Sequence, residues 1–159
     1  MRVLIAYYSK TGNTESIANA IRATLEPNHE VVMQKIEMQK EYSNFMPHLN
    51  PRILFDILLN RKPRIKPTLS ISSFDLVCVG TPDWFGKVHP SINTFIESIT
   101  PVNGMKAIAF VSSGWGRQSY ADSLKEKLEK KGFKVLRKLS FILRETSEAQ
   151  IREVREAVT

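Results

Sequence analysis

The opening 25 residues constrain the fold most tightly. Val3-Leu4-Ile5-Ala6-Tyr7 is an apolar run without polar alternation, as in a strand covered on both faces. Asn13 to Leu25 then repeats Ile17, Ile21 and Leu25 on one helical face. Joining them is Ser9-Lys10-Thr11-Gly12-Asn13-Thr14, rich in hydroxyls and running into the start of the helix. A strand, a tight turn and a packed helix therefore open the chain, which is the first half of a βαβ unit.

The remaining pattern repeats that unit. Glu30 to Ile36, Phe74 to Val79 and Ala107 to Val111 read as further strands, and the last is continuous enough to be central. Phe133 to Ile142 is more polar and partly alternating, as expected at a sheet edge. Pro90 stands at a first helical position, followed by Ile92, Phe95, Ile96 and Ile99. Tyr120, Leu124 and Leu128 mark another helix, and Ile151, Val154 and Val158 the last. Residues 37–73 are the least regular, with Met38, Met46, several prolines and the basic stretch Asn60-Arg61-Lys62-Pro63-Arg64-Ile65-Lys66-Pro67. Ile53 to Leu59 supplies the missing crossover helix there, with Ile53, Ile57 and Leu58 expected to face the sheet. The two methionines are expected to fill gaps or lie partly exposed. Five strands joined by helices predict one α/β domain over residues 1–159, a doubly wound parallel sheet with its ligand site beyond the carboxyl ends of the strands.

Three loops fall at that edge. Ser9 to Thr14 combines three hydroxyl side chains, a permissive glycine and the free N–H groups of a helix start, which together suit a phosphate. It lacks the Gly-Lys-Ser/Thr ending of a P-loop, and no G-x-G-x-x-G follows a strand. Gly80-Thr81-Pro82-Asp83-Trp84-Phe85-Gly86 places two large aromatics in a glycine-bounded loop, and Ser112-Ser113-Gly114-Trp115-Gly116 adds hydroxyls and a third. Such loops at one edge fit a phosphate joined to a polar chain and a planar ring.

These residues resemble the flavodoxin family through essentially the whole chain. Tyr7-Tyr8-Ser9-Lys10-Thr11-Gly12-Asn13-Thr14, continued by Ala18 and Ile21, carries the resemblance most strongly. The Gly80 to Gly86 loop, with Pro90 and Phe95 beyond it, is similar to the family's second flavin loop, and Ser112 to Gly116 to its third. The resemblance implies a five-stranded sheet of order 2-1-3-4-5 with helices on both faces, of the short-chain type. It implies FMN, with the phosphate on Ser9, Lys10, Thr11, Gly12, Asn13 and Thr14. Thr81, Pro82, Asp83, Trp84, Phe85 and Gly86 would flank the ring from one side, and Ser112, Ser113, Gly114, Trp115 and Gly116 from the other. Trp84 or Phe85 would cover one face, while Trp115 would cover the other or point outward. The Phe85–Gly86 peptide is the candidate for a redox-linked backbone rotation, which glycine makes inexpensive. Phe85 between Trp84 and Gly86, and the carboxylate of Asp83, depart from the family's pattern.

What the resemblance implies is an electron carrier rather than an enzyme, and no catalytic acid or base is assigned. The alternatives are an NAD(P)H-dependent quinone or FMN reductase, or an oxidase of a membrane-linked substrate. The net charge of +7 departs from acidic relatives and implies a redox protein partner with an acidic docking face. Nucleic-acid binding has no other motif support. A monomer or weak dimer is expected. No run of ~18 apolar residues is present to span a bilayer, and Val3 to Tyr8 is too short for a signal-peptide core, so a cytoplasmic protein is expected. Cys78 reads as buried, and His29, His48 and His89 lack metal-ligand spacing. His89 reads as a helix-start or polar surface residue.

Overall fold

The computed structural model describes residues 1–42 and 50–159. The expectations for Met46 and His48 lie outside the described residues. Five strands, β1 (Arg2–Tyr7), β2 (Glu30–Lys35), β3 (Leu76–Trp84), β5 (Lys106–Ser113) and β6 (Lys134–Ile142), pair in parallel in the order β2-β1-β3-β5-β6. That is the expected 2-1-3-4-5 path, with β6 at the edge its polar pattern indicated. A short strand, β4 (Lys87–Val88), pairs antiparallel with the end of β3.

Side-chain alternation divides the core into two layers. Leu4, Ala6, Val77, Val79, Ala107 and Ala109 face one side, where α2 (Pro51–Leu58), α3 (Pro90–Ser98) and α4 (Asp122–Lys130) contribute Ile53, Ile92, Phe95 and Leu124. Val3, Ile5, Leu76, Cys78, Ile108 and Phe110 face the other, against Ile17 and Ile21 of α1 (Asn13–Leu25) and Val154 of α5 (Glu148–Val158). The central strands are thus apolar at consecutive positions because each successive side chain meets a different helical layer. Cys78 sits at the middle of this sheet, fully buried, and burial pushes its thiol up to about 12.

Two expectations change. β3 runs five residues past Val79, because its pairing with β5 continues to Pro82 opposite Ser112 and Asp83 and Trp84 then pair with Val88 and Lys87. What reads as a loop from Gly80 is a strand followed by a two-residue turn. Phe85 (φ +57°) and Gly86 (φ +74°) both take left-handed backbone, as a tight hairpin with type I′ twist requires, and Trp84 pairs with Lys87 across it. The second change is in α2. Ile53 and Ile57 are buried as expected, but Leu58 is 62% exposed. Leu58 lies one residue beyond Ile57, a rotation of about 100° that carries it off the packed stripe.

This difference makes a stability test. Ile53→Ala should cost about 3 kcal/mol through the cavity it leaves, whereas Leu58→Ala should fall within about 0.5 kcal/mol of the parent, read from urea unfolding midpoints.

Candidate functional site

Parallel pairing brings the carboxyl ends of β1, β3, β5 and β6 together, and a cavity of about 280 Å³ opens above them. Ser9, Lys10, Thr11, Asn13 and Thr14 line it from the first loop, Pro82, Asp83 and Trp84 from the end of β3, and Ser112, Ser113 and Gly114 from the end of β5. Gly12 lies within the first loop, and Thr81, Phe85, Gly86, Trp115 and Gly116 stand outside the lining. A larger cavity of about 610 Å³ lies at the opposite, amino-terminal end of the sheet, bordered by the segments entering β3 and β5. Its lining has no charged side chain.

The first loop leaves the amino end of α1 open. Gly12 caps α1 in left-handed backbone (φ +87°), and no side chain caps the helix. Ser9 Oγ accepts from the Gly12 N–H at 3.1 Å, which folds the turn without covering the helix end. Thr14 is 1% exposed and its Oγ1 has no hydrogen-bond partner among the described residues. A buried hydroxyl without a partner is costly, and a bound phosphate oxygen relieves it. Lys10 Nζ donates to the Tyr42 carbonyl at 2.9 Å, tying the loop to the segment after β2.

The second side is aromatic. His89, fully buried, caps α3: its Nδ1 accepts from the Ser91 N–H at 3.2 Å. The ring stacks on Tyr8 with centroids 3.8 Å apart and an angle of 11°, and Trp84 meets it edge-on at 4.5 Å. A neutral imidazole that accepts at Nδ1 carries its proton on Nε2, and this atom has no partner among the described residues. Burial first, and the Lys10 charge second, hold His89 well below the usual histidine range. The helix-start role anticipated for His89 is what the structure shows, at a buried rather than a surface position. Thr81 is engaged in the same scaffold, its hydroxyl accepting from the His89 N–H at 3.0 Å and donating to the Pro82 carbonyl.

Asp83 places a carboxyl in the wall of the cavity. Its Oδ1 is buried without a partner among the described residues, and burial raises its pKa against the lowering effect of the Gly86 N–H. Phe85 and Trp115, next in sequence to the lining residues Trp84 and Gly114, are 57% and 80% exposed. Leu143 also lines the cavity, in left-handed backbone (φ +51°) just after β6. Ser112 Oγ donates to its carbonyl at 2.8 Å, and its N–H donates to the Ser113 carbonyl at 2.8 Å. Sequence reasoning missed Leu143 because an apolar residue after an edge strand carries no chemical signal. The topology does signal it, since all parallel strands end at one edge. Tyr8 and His89 were equally hidden as a stacked pair, being 81 positions apart in the chain.

A flavodoxin family model matches residues 2–156, and the chain belongs to the flavodoxin family. Among curated relatives, an uncharacterized protein of Methanocaldococcus jannaschii is 33% identical over 75 residues. That match covers 46% of this chain and spans about half, 49%, of the relative. A flavoprotein in complex with FMN from Lactobacillus acidophilus is similar in structure, with a TM-score of 0.72 at 20% identity, covering 87% of this chain and 92% of that one. Oxidised flavodoxin 2 from Bacillus cereus gives 0.64 at 23% identity, covering 99% and 96%. Two-electron reduced Megasphaera elsdenii flavodoxin gives 0.62 at 23%, covering 98% and 96%. At these identities the likeness is one of fold. Among the described residues, no helix is long and apolar enough to cross a membrane.

The buried histidine gives a pH dependence of known sign. Unfolded, His89 titrates near ~6.5; folded, it titrates well below that, so the unfolded chain takes up the proton first as pH falls. Its contribution to stability is present above ~6.5 and declines below it, by up to about 1.4 kcal/mol per pH unit. Unfolding free energies measured in urea between ~pH 7 and ~pH 5 should show this slope, and His89→Asn, which keeps a capping acceptor, should flatten it. Equal slopes in the two proteins would remove His89 as the cause.

Proposed function

We propose that this chain binds FMN in the three-loop cavity and carries electrons between redox partners. The observation that carries the reading is the uncapped amino end of α1, with the buried, unpartnered Thr14 hydroxyl beside it, facing a cavity that two further loops complete. Bound there, FMN supplies one- and two-electron transfer, and the protein supplies position and electrostatics. Ser9, Lys10, Thr11, Gly12, Asn13 and Thr14 hold the phosphate through hydroxyls, backbone N–H groups and the positive end of α1. Trp84, held edge-on by His89, presents a fixed apolar wall to the ring, and Ser112 to Gly114 form the opposite wall. Asp83 adds a carboxyl to the same wall, its pKa raised by burial and lowered by the Gly86 N–H.

Membership of the flavodoxin family and the exposed aromatics next in sequence to the cavity lining support a carrier that meets its partner at the cofactor edge. The surplus of 23 basic over 16 acidic residues favours a partner with an acidic face there. Electron transfer to such a partner slows as salt screens the attraction.

Fluorescence quenching of added FMN tests the binding reading. Thr14→Val should weaken binding about tenfold, equivalent to about 1.4 kcal/mol for a hydrogen bond to a charged group, while leaving the FMN-free protein equally stable or more so. Undiminished affinity would place the phosphate elsewhere.

Stepwise anaerobic reduction of the FMN-loaded protein tests the carrier reading. A substantial one-electron-reduced fraction in the absorption spectrum is the expected result, whereas direct passage to the two-electron state, with unaided oxidation of NAD(P)H, would point to a reductase. A methyl group at Gly86 meets no atom within 4 Å but must adopt φ +74°. Gly86→Ala should therefore cost about 1 to 2 kcal/mol in the turn and lower that fraction, with FMN affinity retained at the phosphate.

A further inference from the structure

Helix α2 has two apolar faces, and among the described residues only one is packed. Ile53 and Ile57 enter the core, while Leu54, Phe55, Leu58 and the adjoining Leu59 are 43 to 62% exposed. Positions i, i+1, i+4 and i+5 run along one stripe, so these side chains form a continuous ridge rather than scattered exposure. The cavity described above makes no use of the ridge.

The charge beside it selects a ligand. From Asn50 to Pro67 the chain has five basic residues, Arg52, Arg61, Lys62, Arg64 and Lys66, against the single carboxylate of Asp56, so the excess is 5 − 1 = +4. Asp56 is buried, 4.0 Å from Arg52 Nε and 3.8 Å from Arg61 Nη1, one negative charge shared by two guanidinium groups. Lys62 and Lys66 pair at 3.7 and 2.9 Å with Glu97 and Glu37, all four side chains about half exposed. Such pairs are weak in water and yield readily to a dense anionic surface. With Glu37 and Glu97 counted the face keeps 5 − 3 = +2, so two copies of the chain meeting through it would set like charge against like, which opposes self-association.

We propose that α2 docks the protein on an anionic lipid surface, its exposed ridge entering the boundary between headgroups and acyl chains and its basic flank contacting lipid phosphates. An apolar stripe bordered by Lys and Arg is what an interfacial helix requires, and neither element alone gives stable attachment. The carboxyl end of α2 and the β3–β4 hairpin border one cleft, lined by Ile57, Asn60, Gly86 and Lys87. Docking through α2 therefore brings the hairpin of the FMN cavity near the membrane surface. The inference rests on α2 and stands apart from the cofactor reading, so its test needs no flavin.

The test is co-sedimentation of the purified full chain with two kinds of vesicle, phosphatidylcholine alone and an equal mixture with phosphatidylglycerol. Binding to the mixed vesicles should exceed binding to the neutral ones at least tenfold and weaken with added salt. Phe55→Ser with Leu58→Ser should reduce it tenfold or more, and Arg61→Ser with Lys62→Ser similarly. Leu59→Ser, outside the helix, should reduce it about threefold with no change in unfolding midpoint, so loss of helical structure cannot account for the effect. Binding to neither vesicle, equal binding to both, or binding indifferent to Phe55 and Leu58 overturns the proposal. A concentration-dependent dimer abolished by the ridge variant would overturn it in favour of a second copy.

Discussion

The parallel pairing of β1, β3 and β5 is the constraint from which the rest of the molecule follows. Val3 opposite Leu76, and Val77 opposite Ala107, fix a register in which the three strands end together. A shift of one residue would turn Ile5, Cys78 and Ile108 toward the wrong helical layer, so the register is set by burial on both faces. The cavity is a by-product of that register. The loops that leave these strands cannot avoid one another, and their hydroxyls and aromatics converge without any contact in the sequence.

Much of this was legible because its signals are local. The helix Asn13–Leu25, its buried stripe and Pro90 at the start of α3 follow from periodicity and proline geometry. That Ser9 to Thr14 would face a cavity at the carboxyl edge follows from its place between the first strand and helix. What escaped were features that depend on partners distant in the chain. The extension of β3 to Trp84 is decided by pairing of Pro82 with Ser112, thirty residues away, and of Asp83 and Trp84 with β4, which overrides the loop-like appearance of Gly80-Thr81-Pro82. The hairpin at Phe85 and Gly86 has no Asn-Gly or Asp-Gly signature, and the left-handed backbone at a phenylalanine is imposed by β4 closing on β3. Leu58 misled because a one-residue error in helical phase is invisible in so short an apolar run.

The scaffold around the cavity has a division of labour. Thr81 holds the His89 N–H, and His89 caps α3 and stacks on Tyr8, so these three fix the wall without lining it. Thr14 and Asp83, by contrast, each bury an oxygen without a partner in the lining itself. Buried oxygens of this kind are ones that a bound ligand can satisfy.

The single cysteine gives the molecule a clock. Cys78 lies at zero exposure between β1 and β5, and its thiol, pushed up to about 12, holds almost no thiolate near neutral pH. Alkylating reagents reach that sulfur only when the middle of the sheet opens, because fraying at the chain ends leaves it covered. The rate at which an added thiol reagent consumes the protein thus counts openings of the central strands, one sulfur per molecule. Aerobic handling, which erodes proteins with surface thiols, has no purchase on this one while it stays folded.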